Sequence, residues 1–246
     1  MTSALEVECK FLCNKELEDE ISKRALSSQD VFMLDEYFDT EAMTLLRMDN
    51  WLRRRNDLFE LKIPSVSLVD RIRLLEERKE RHVDNSKPYV DSYIEVIDPS
   101  VIAKHLLSIL PSSDLLSIKH VVTTNHDLEI LVSTLGLSSF AEIKTMRRTY
   151  KLSLLKAPDE IIGIDIDAVL FDDGSTYSVA EVEVMVSNGI EDEKARTLID
   201  LFFEEFNVKK SDKPIVGKVL EYFKRCAPAH FAVVKNGLMK LKLAGT

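Results

Sequence analysis

From residue 4 the chain alternates with a period of two: Leu5, Val7, Cys9 and Phe11 fall on one parity, Glu6, Glu8 and Lys10 on the other. That period predicts a half-buried strand over 4–12. Further strands are predicted at 31–39, 44–54, 58–63, 89–97, 141–155, 161–171 and 176–186. Asn56-Asp57 and Asp172-Asp173-Gly174 supply tight turns between neighbouring strands. Helices lie between and after them. Asn14 caps one over 15–25; Asp98-Pro99 opens another that Pro111 stops after Leu110; a third spans His126 to Leu135 and ends at Gly136. The last third reads as helical over 191–206, 214–226 and 228–234. Val101, His105 and Ile109, and likewise Leu198, Phe202 and Phe206, form apolar stripes for these helices to bury.

Eight predicted strands with several hairpin-length links point to a mainly antiparallel sheet, and eight strands can close. The expected fold class is α+β: an eight-stranded closed β-barrel covered by helices. One domain over 1–246 is expected, with a charged insertion at 66–87 and a helical C-terminal part at 190–237. In the insertion Leu68, Ile72 and Leu75 are spaced for a helix, and residues 76–81 are all charged. A solvated surface helix is the plain reading and a mobile lid the sharper one.

The ionic residues are unusual in sharing faces. Trp51, Arg53 and Arg55 lie opposite Leu52; Glu60 and Lys62 opposite Phe59 and Leu61; Tyr93 and Glu95 opposite Ile94 and Val96. Thr145 shares a face with Arg147, Asp165 with Asp167, and Glu181 with Glu183. If the sheet closes, the helices need its aliphatic face, so the ionic face lines the interior. Unpaired ions in a dry interior cost several kcal/mol each, so a water-filled, ion-binding tunnel is expected. Its carboxylates are hard oxygen donors suited to Mg2+ or Mn2+, and its lysines and arginines suit phosphate oxygens. Metal-assisted phosphoryl transfer needs both sets. Cross-strand ion pairs on an open sheet are the alternative.

Composition changes this picture little. The 246 residues carry 33 Lys+Arg against 42 Asp+Glu, a formal charge of −9, which argues against a nucleic-acid partner. No apolar run is long enough for a bilayer, and two glutamates interrupt the first eleven residues, where a signal peptide is apolar. Cys9, Cys13 and Cys226 suggest a reducing, cytoplasmic setting, and no zinc spacing involves the five histidines.

Glu6-Val7-Glu8-Cys9-Lys10 resembles the ExExK signature of the CYTH family, the triphosphate tunnel metalloenzymes. Tyr37-Phe38-Asp39-Thr40, Trp51-Leu52-Arg53-Arg54-Arg55 and Glu60-Leu61-Lys62 resemble the corresponding run in animal thiamine triphosphatases, and the similarity extends over roughly 4–230. The resemblance implies that Glu6, Glu8, Asp165, Glu181 and Glu183 hold metal. It implies that Arg53, Arg55, Lys62, Arg147 and Lys218 bind triphosphate, with Glu95 orienting the basic residues or helping the metal. Lys10, with Tyr37, then activates water at the scissile phosphoryl group, and Trp51 packs on a thiazolium ring. The implied activity is Mg2+-dependent hydrolysis of thiamine triphosphate by a monomer, with inorganic triphosphatase as the alternative, then a non-catalytic triphosphate sensor. The linker from Lys62 to Glu95 is longer than in the vertebrate enzymes, and Cys9 stands where arginine is common. Either Arg147 or Arg148 faces inward.

Overall fold

A computed structural model describes residues 4–65, 91–110, 122–186, 192–209, 215–229 and 231–232. Its strands are β1 (Ala4–Phe11), β2 (Ser27–Asp39), β3 (Trp51–Arg55), β4 (Leu58–Pro64), β5 (Asp91–Val96), β6 (Ser138–Leu154), β7 (Ala157–Leu170) and β8 (Thr176–Val186). They close into a barrel in the order β1-β5-β4-β3-β2-β6-β7-β8, every neighbouring pair antiparallel. The β3–β4 link is the expected two-residue turn: Asn56 and Asp57 have φ of 45° and 70°, the left-handed pair that matches strand twist.

Six helices accompany the barrel among the described residues: α1 (Lys15–Arg24), α2 (Thr44–Arg47), α3 (Pro99–Ile109), α4 (Asn125–Thr134), α5 (Asp192–Glu205) and α6 (Lys218–Cys226). Local chemistry explains their starts. Asn14 Oδ1 accepts from the Leu17 N–H at 2.9 Å, Asp98 accepts from Ser100 N–H at 2.9 Å, and Thr124 and Asp127 form a reciprocal capping box. Helix α5 buries Leu198, Phe202 and Phe206 against Val7, Cys9, Val182 and Val184 on the outside of β1 and β8. Helices α3 and α4 cover Leu52, Phe59, Leu61 and Val96. The aliphatic parity therefore faces the helices, as expected.

Three expectations need correction. The strand expected over 44–54 is broken: Thr44–Arg47 is one helical turn, and pairing begins only at Trp51. Both Asp39 oxygens accept backbone N–H groups, from Leu45 and Leu46 at 2.9 Å each, and so satisfy a helix start that hydrophobicity does not reveal. In α3 the fully buried positions are Ile102, Ala103 and Leu106, one residue on from the predicted stripe. Helix α6 begins at Lys218, because the preceding segment is extended and tied to the barrel by Tyr177 Oη donating to the Val216 carbonyl at 2.6 Å. Cys13 lies beyond the end of β1; Cys9, Cys13 and Cys226 are free thiols. The helix expected over 228–234 is present at 228–229 and 231–232, and the charged stretch 66–87 lies outside the described residues. No helix among the described residues is long and apolar enough to cross a membrane.

The barrel interior is not uniformly ionic. Ala141, Ile143, Val169 and Phe171 continue the inward parity of Thr145, Arg147 and Asp167, and α6 packs Val219 and Phe223 onto them. One end of the lumen is thus an apolar plug, which leaves the ionic section as a bounded site.

Candidate active site

The ionic section surrounds a half-open cavity of about 190 Å3. Strand β1 contributes Glu6, Glu8 and Lys10; β3 contributes Trp51, Arg53 and Arg55; β4 and β5 contribute Lys62 and Glu95. Tyr37 of β2, Arg147 of β6, Glu181 and Glu183 of β8, and Lys218 from the start of α6 complete the predicted set. Asp165 alone of the predicted residues does not line it. It lies buried behind Arg147, to which it is ion-paired, and accepts from Thr149 Oγ1 at 2.6 Å. The choice between the two arginines is resolved by parity: Arg148 points outward to Asp30 and Glu18 at 2.7 Å each.

The cations and carboxylates interleave. Lys10 pairs with Glu8 and stands 3.3 Å from Glu181. Lys62 pairs with Glu6 and lies 3.2 Å from Glu8. Arg53 reaches Glu60 at 2.5 Å and Glu95 at 3.1 Å. Arg147 spans Asp165 and Asp167 and lies 3.6 Å from Glu181. Lys151, farther along β6 and more exposed, lies 3.3 Å from Glu183.

Burial sets the protonation balance. It pushes the Glu6 carboxyl up to about 7, and the like charges of Glu8 and Glu95 add to this while Lys62 opposes it. Glu8 is equally desolvated, yet Lys10 and Lys62 on either side hold it well below the usual carboxylate range. Burial also raises Glu183, with Asp165 next in importance, and raises Asp165 despite Arg147. Negative charge is therefore crowded on both sides of the cavity.

That crowding is the test of whether a metal suits the site. Among the described residues no three carboxylate, thiol or imidazole side chains are close enough as they stand to hold an ion. Each predicted carboxylate is instead turned onto a lysine or arginine. The donors are nevertheless hard oxygens of the kind a divalent cation takes, and burial, the main cause of the raised Glu6, Asp165 and Glu183, leaves them poorly solvated, so that a cation brought among them favours their charged forms. The donor set fits a hard cation.

Several residues of the site carry no family motif. Asp35 of β2 is fully buried and grips Arg55 at 2.6 and 2.9 Å and Lys218 at 2.8 Å. Its carboxyl is held far below the usual range although it is desolvated, through Arg55 and Lys218. Parity with Tyr37 was the available signal. Asp167 does the same for Arg147, at 2.6 and 2.7 Å. Gly163 is an inward position of β7 where a Cβ would come within 2.6 Å of Glu183 Oε1 and 2.8 Å of Lys151 Nζ, so glycine makes room for that pair.

Residues 4–214 match the CYTH domain. A thiamine-triphosphatase from Homo sapiens is 27% identical over 229 residues, covering 92% of this chain and 87% of that protein. A thiamine-triphosphatase from Macaca fascicularis has the same identity and coverage. A solved structure from Pyrococcus horikoshii OT3 is 18% identical with a TM-score of 0.49, covering 88% of this chain and 98% of that one.

Proposed function

The chain belongs to the CYTH family, and from that premise we propose that it hydrolyses thiamine triphosphate to thiamine diphosphate and phosphate, using Mg2+ or Mn2+. The observation that carries this reading is the cavity itself. One half-open cavity is lined by lysines and arginines, by hard oxygen donors and by a single indole, Trp51. The relatives named thiamine-triphosphatase support the same substrate.

In this reading Arg53, Arg55, Arg147 and Lys218 bind the phosphate oxygens. Arg55, Arg147 and Lys218 are already held by Asp35 and Asp167, so little ordering is lost when substrate enters. Lys10 and Lys62 leave Glu8 and Glu6 for phosphate oxygens. Glu6, Glu8, Glu181 and Glu183, with Asp165 behind them, would hold the divalent cation, which neutralises phosphate charge and orients the group. Lys10, as a cation, and Tyr37 orient the water whose oxygen attacks the terminal phosphorus, and the water's proton passes to an oxygen of the phosphoryl group being transferred. The P–O anhydride bond opposite breaks, and thiamine diphosphate leaves. Glu60 and Glu95 keep Arg53 directed into the cavity.

Purified protein assayed on thiamine triphosphate and tripolyphosphate tests this. Trp51→Ala should lower the ratio of the two kcat/KM values about tenfold, the size of a desolvated cation–π contact. An unchanged ratio, with tripolyphosphate the better substrate, makes the protein an inorganic triphosphatase instead. Glu8→Gln and Lys10→Ala should each lower kcat by about a hundredfold or more while circular dichroism stays unchanged. Turnover by both variants at the wild-type rate would overturn the site assignment, and so would full activity in EDTA.

A further inference from the structure

The indole of Trp51 is not left to find its own orientation. Between α2 and β3 the chain passes through Asp49, whose φ of 58° is in the left-handed region. The turn is tied by the Asp49 N–H to the Leu46 carbonyl at 3.0 Å and the Asn50 N–H to the Leu45 carbonyl at 2.9 Å. Asn50 Oδ1 lies 2.8 Å from His105 Nε2, which fastens the turn to α3. Asp49 is 4% exposed. Its Oδ1 accepts from Trp51 Nε1 at 3.0 Å, and Tyr93 Oη stands 3.3 Å from both of its oxygens. Trp51 and Tyr93 come from β3 and β5, on either side of β4, and both line the cavity.

We propose that Asp49 is a positioning residue that sets substrate specificity: it fixes the Trp51 indole face toward the cavity so that it receives a cationic aromatic head group. The inference rests on the thiamine reading above. A half-buried indole free to turn about two χ angles loses that freedom on binding, whereas one already bonded through Nε1 to a rigid acceptor does not. A carboxylate behind the N–H edge also polarises the indole so that its face is more attractive to a cation. Tyr93, bonded to the same carboxylate, sets the neighbouring wall of the pocket. The triphosphate end of the substrate gains nothing from this arrangement.

Asp49→Gly is the variant of choice, because glycine accepts the left-handed backbone and deletes only the carboxylate. Steady-state constants for thiamine triphosphate and tripolyphosphate are compared in wild type, Asp49→Gly, Asp49→Asn, Trp51→Phe and the Asp49→Gly/Trp51→Phe double variant. Asp49→Gly should lower the thiamine-over-tripolyphosphate ratio of kcat/KM about five- to tenfold, mainly through KM, and Asp49→Asn, which keeps an acceptor oxygen, should restore most of it. In the Trp51→Phe background Asp49→Gly should change the ratio less than about twofold, since the bond it removes is already gone. Trp51 is the chain's only tryptophan, so quenching of its emission by thiamine reads the same contact and should weaken in Asp49→Gly. A purely structural Asp49 would lower both activities together and by the same factor in either background, which would overturn the proposal. A wild type that prefers thiamine triphosphate while Asp49→Gly keeps that preference sinks the role of Asp49 alone. A wild type that hydrolyses only tripolyphosphate sinks the substrate reading, and the head-group role with it.

Discussion

Asp35 has no exposed surface, yet it meets two cations, Arg55 from the neighbouring strand and Lys218 from α6. Removing one member of a buried ion cluster strands the others without their countercharge, at about 3–5 kcal/mol. Asp35→Ala should therefore lower the melting temperature by several degrees, measured by differential scanning calorimetry, and raise KM for any triphosphate. Gly163 acts differently. A methyl at that position meets Glu183 at both Oε1 and Cγ, at 2.6 and 2.7 Å, and Lys151 Nζ at 2.8 Å, so the Glu183 side chain must be displaced to admit it. Gly163→Ala should thus misdirect Glu183 and raise the Mg2+ concentration for half-maximal activity about tenfold, as misdirected metal-site residues do. A Mg2+ titration of the rate checks it. Neither residue lies in a family motif: Asp35 was readable only as an inward parity position, and Gly163 only once its neighbours across the sheet were known.

At the scale of the element, α6 both closes the lumen and supplies Lys218. Phe223 is fully buried in the plug and stacks on Phe140 at 5.3 Å, so the helix is anchored by packing and its first residue is aimed by that anchor. Phe223→Ala should cost about 3–5 kcal/mol by urea unfolding, from lost burial plus the cavity left behind. The start of α4 gives a pH prediction. The backbone N–H of Thr123, then the side chain and N–H of Thr124, hold Asp127 down to about 2 from an ordinary 3.8. A depressed carboxyl stabilises the fold above its unfolded value, and this contribution is lost as pH falls from about 4 through 2. Asp127→Asn should flatten that part of the melting-temperature profile. Helix caps close in sequence to the groups they satisfy are legible, as Asn14 and Asp98 show. The one-turn helix α2 was not, because its cap, Asp39, sits on the previous strand, several residues before the N–H groups it satisfies.

For the whole molecule, the formal charge of −9 argued against a polyanionic ligand only while charge was treated as a sum. Closing the barrel gathers Lys10, Arg53, Arg55, Lys62, Arg147 and Lys218 into one cavity and sets crowded carboxylates beside them. A cation entering that cavity binds the folded chain alone. Mg2+ at about a hundred times its dissociation constant should stabilise the fold by roughly 2.7 kcal/mol. A thermal melt in EDTA and then in Mg2+ measures this, and Glu8→Gln should reduce the gain.

By itself the sequence determined which side chains share a face. Parity is a property of the pleat, so Glu6, Glu8 and Lys10 share a face whatever their neighbours are. It also determined that helices cover the opposite, aliphatic face. What only the tertiary structure decided is which inward residues meet. Asp35 and Lys218 are 183 positions apart, and Asp49 and Tyr93 are 44 apart. Their contact depends on strand register, on the order in which strands close the barrel, and on an apolar plug that docks α6. The placement of Asp165 behind Arg147 rather than in the cavity wall is set in the same way, by the reach of a guanidinium from the adjacent strand. Periodicity is written in neighbouring residues, whereas the pairing of charges is written in the closure of the sheet.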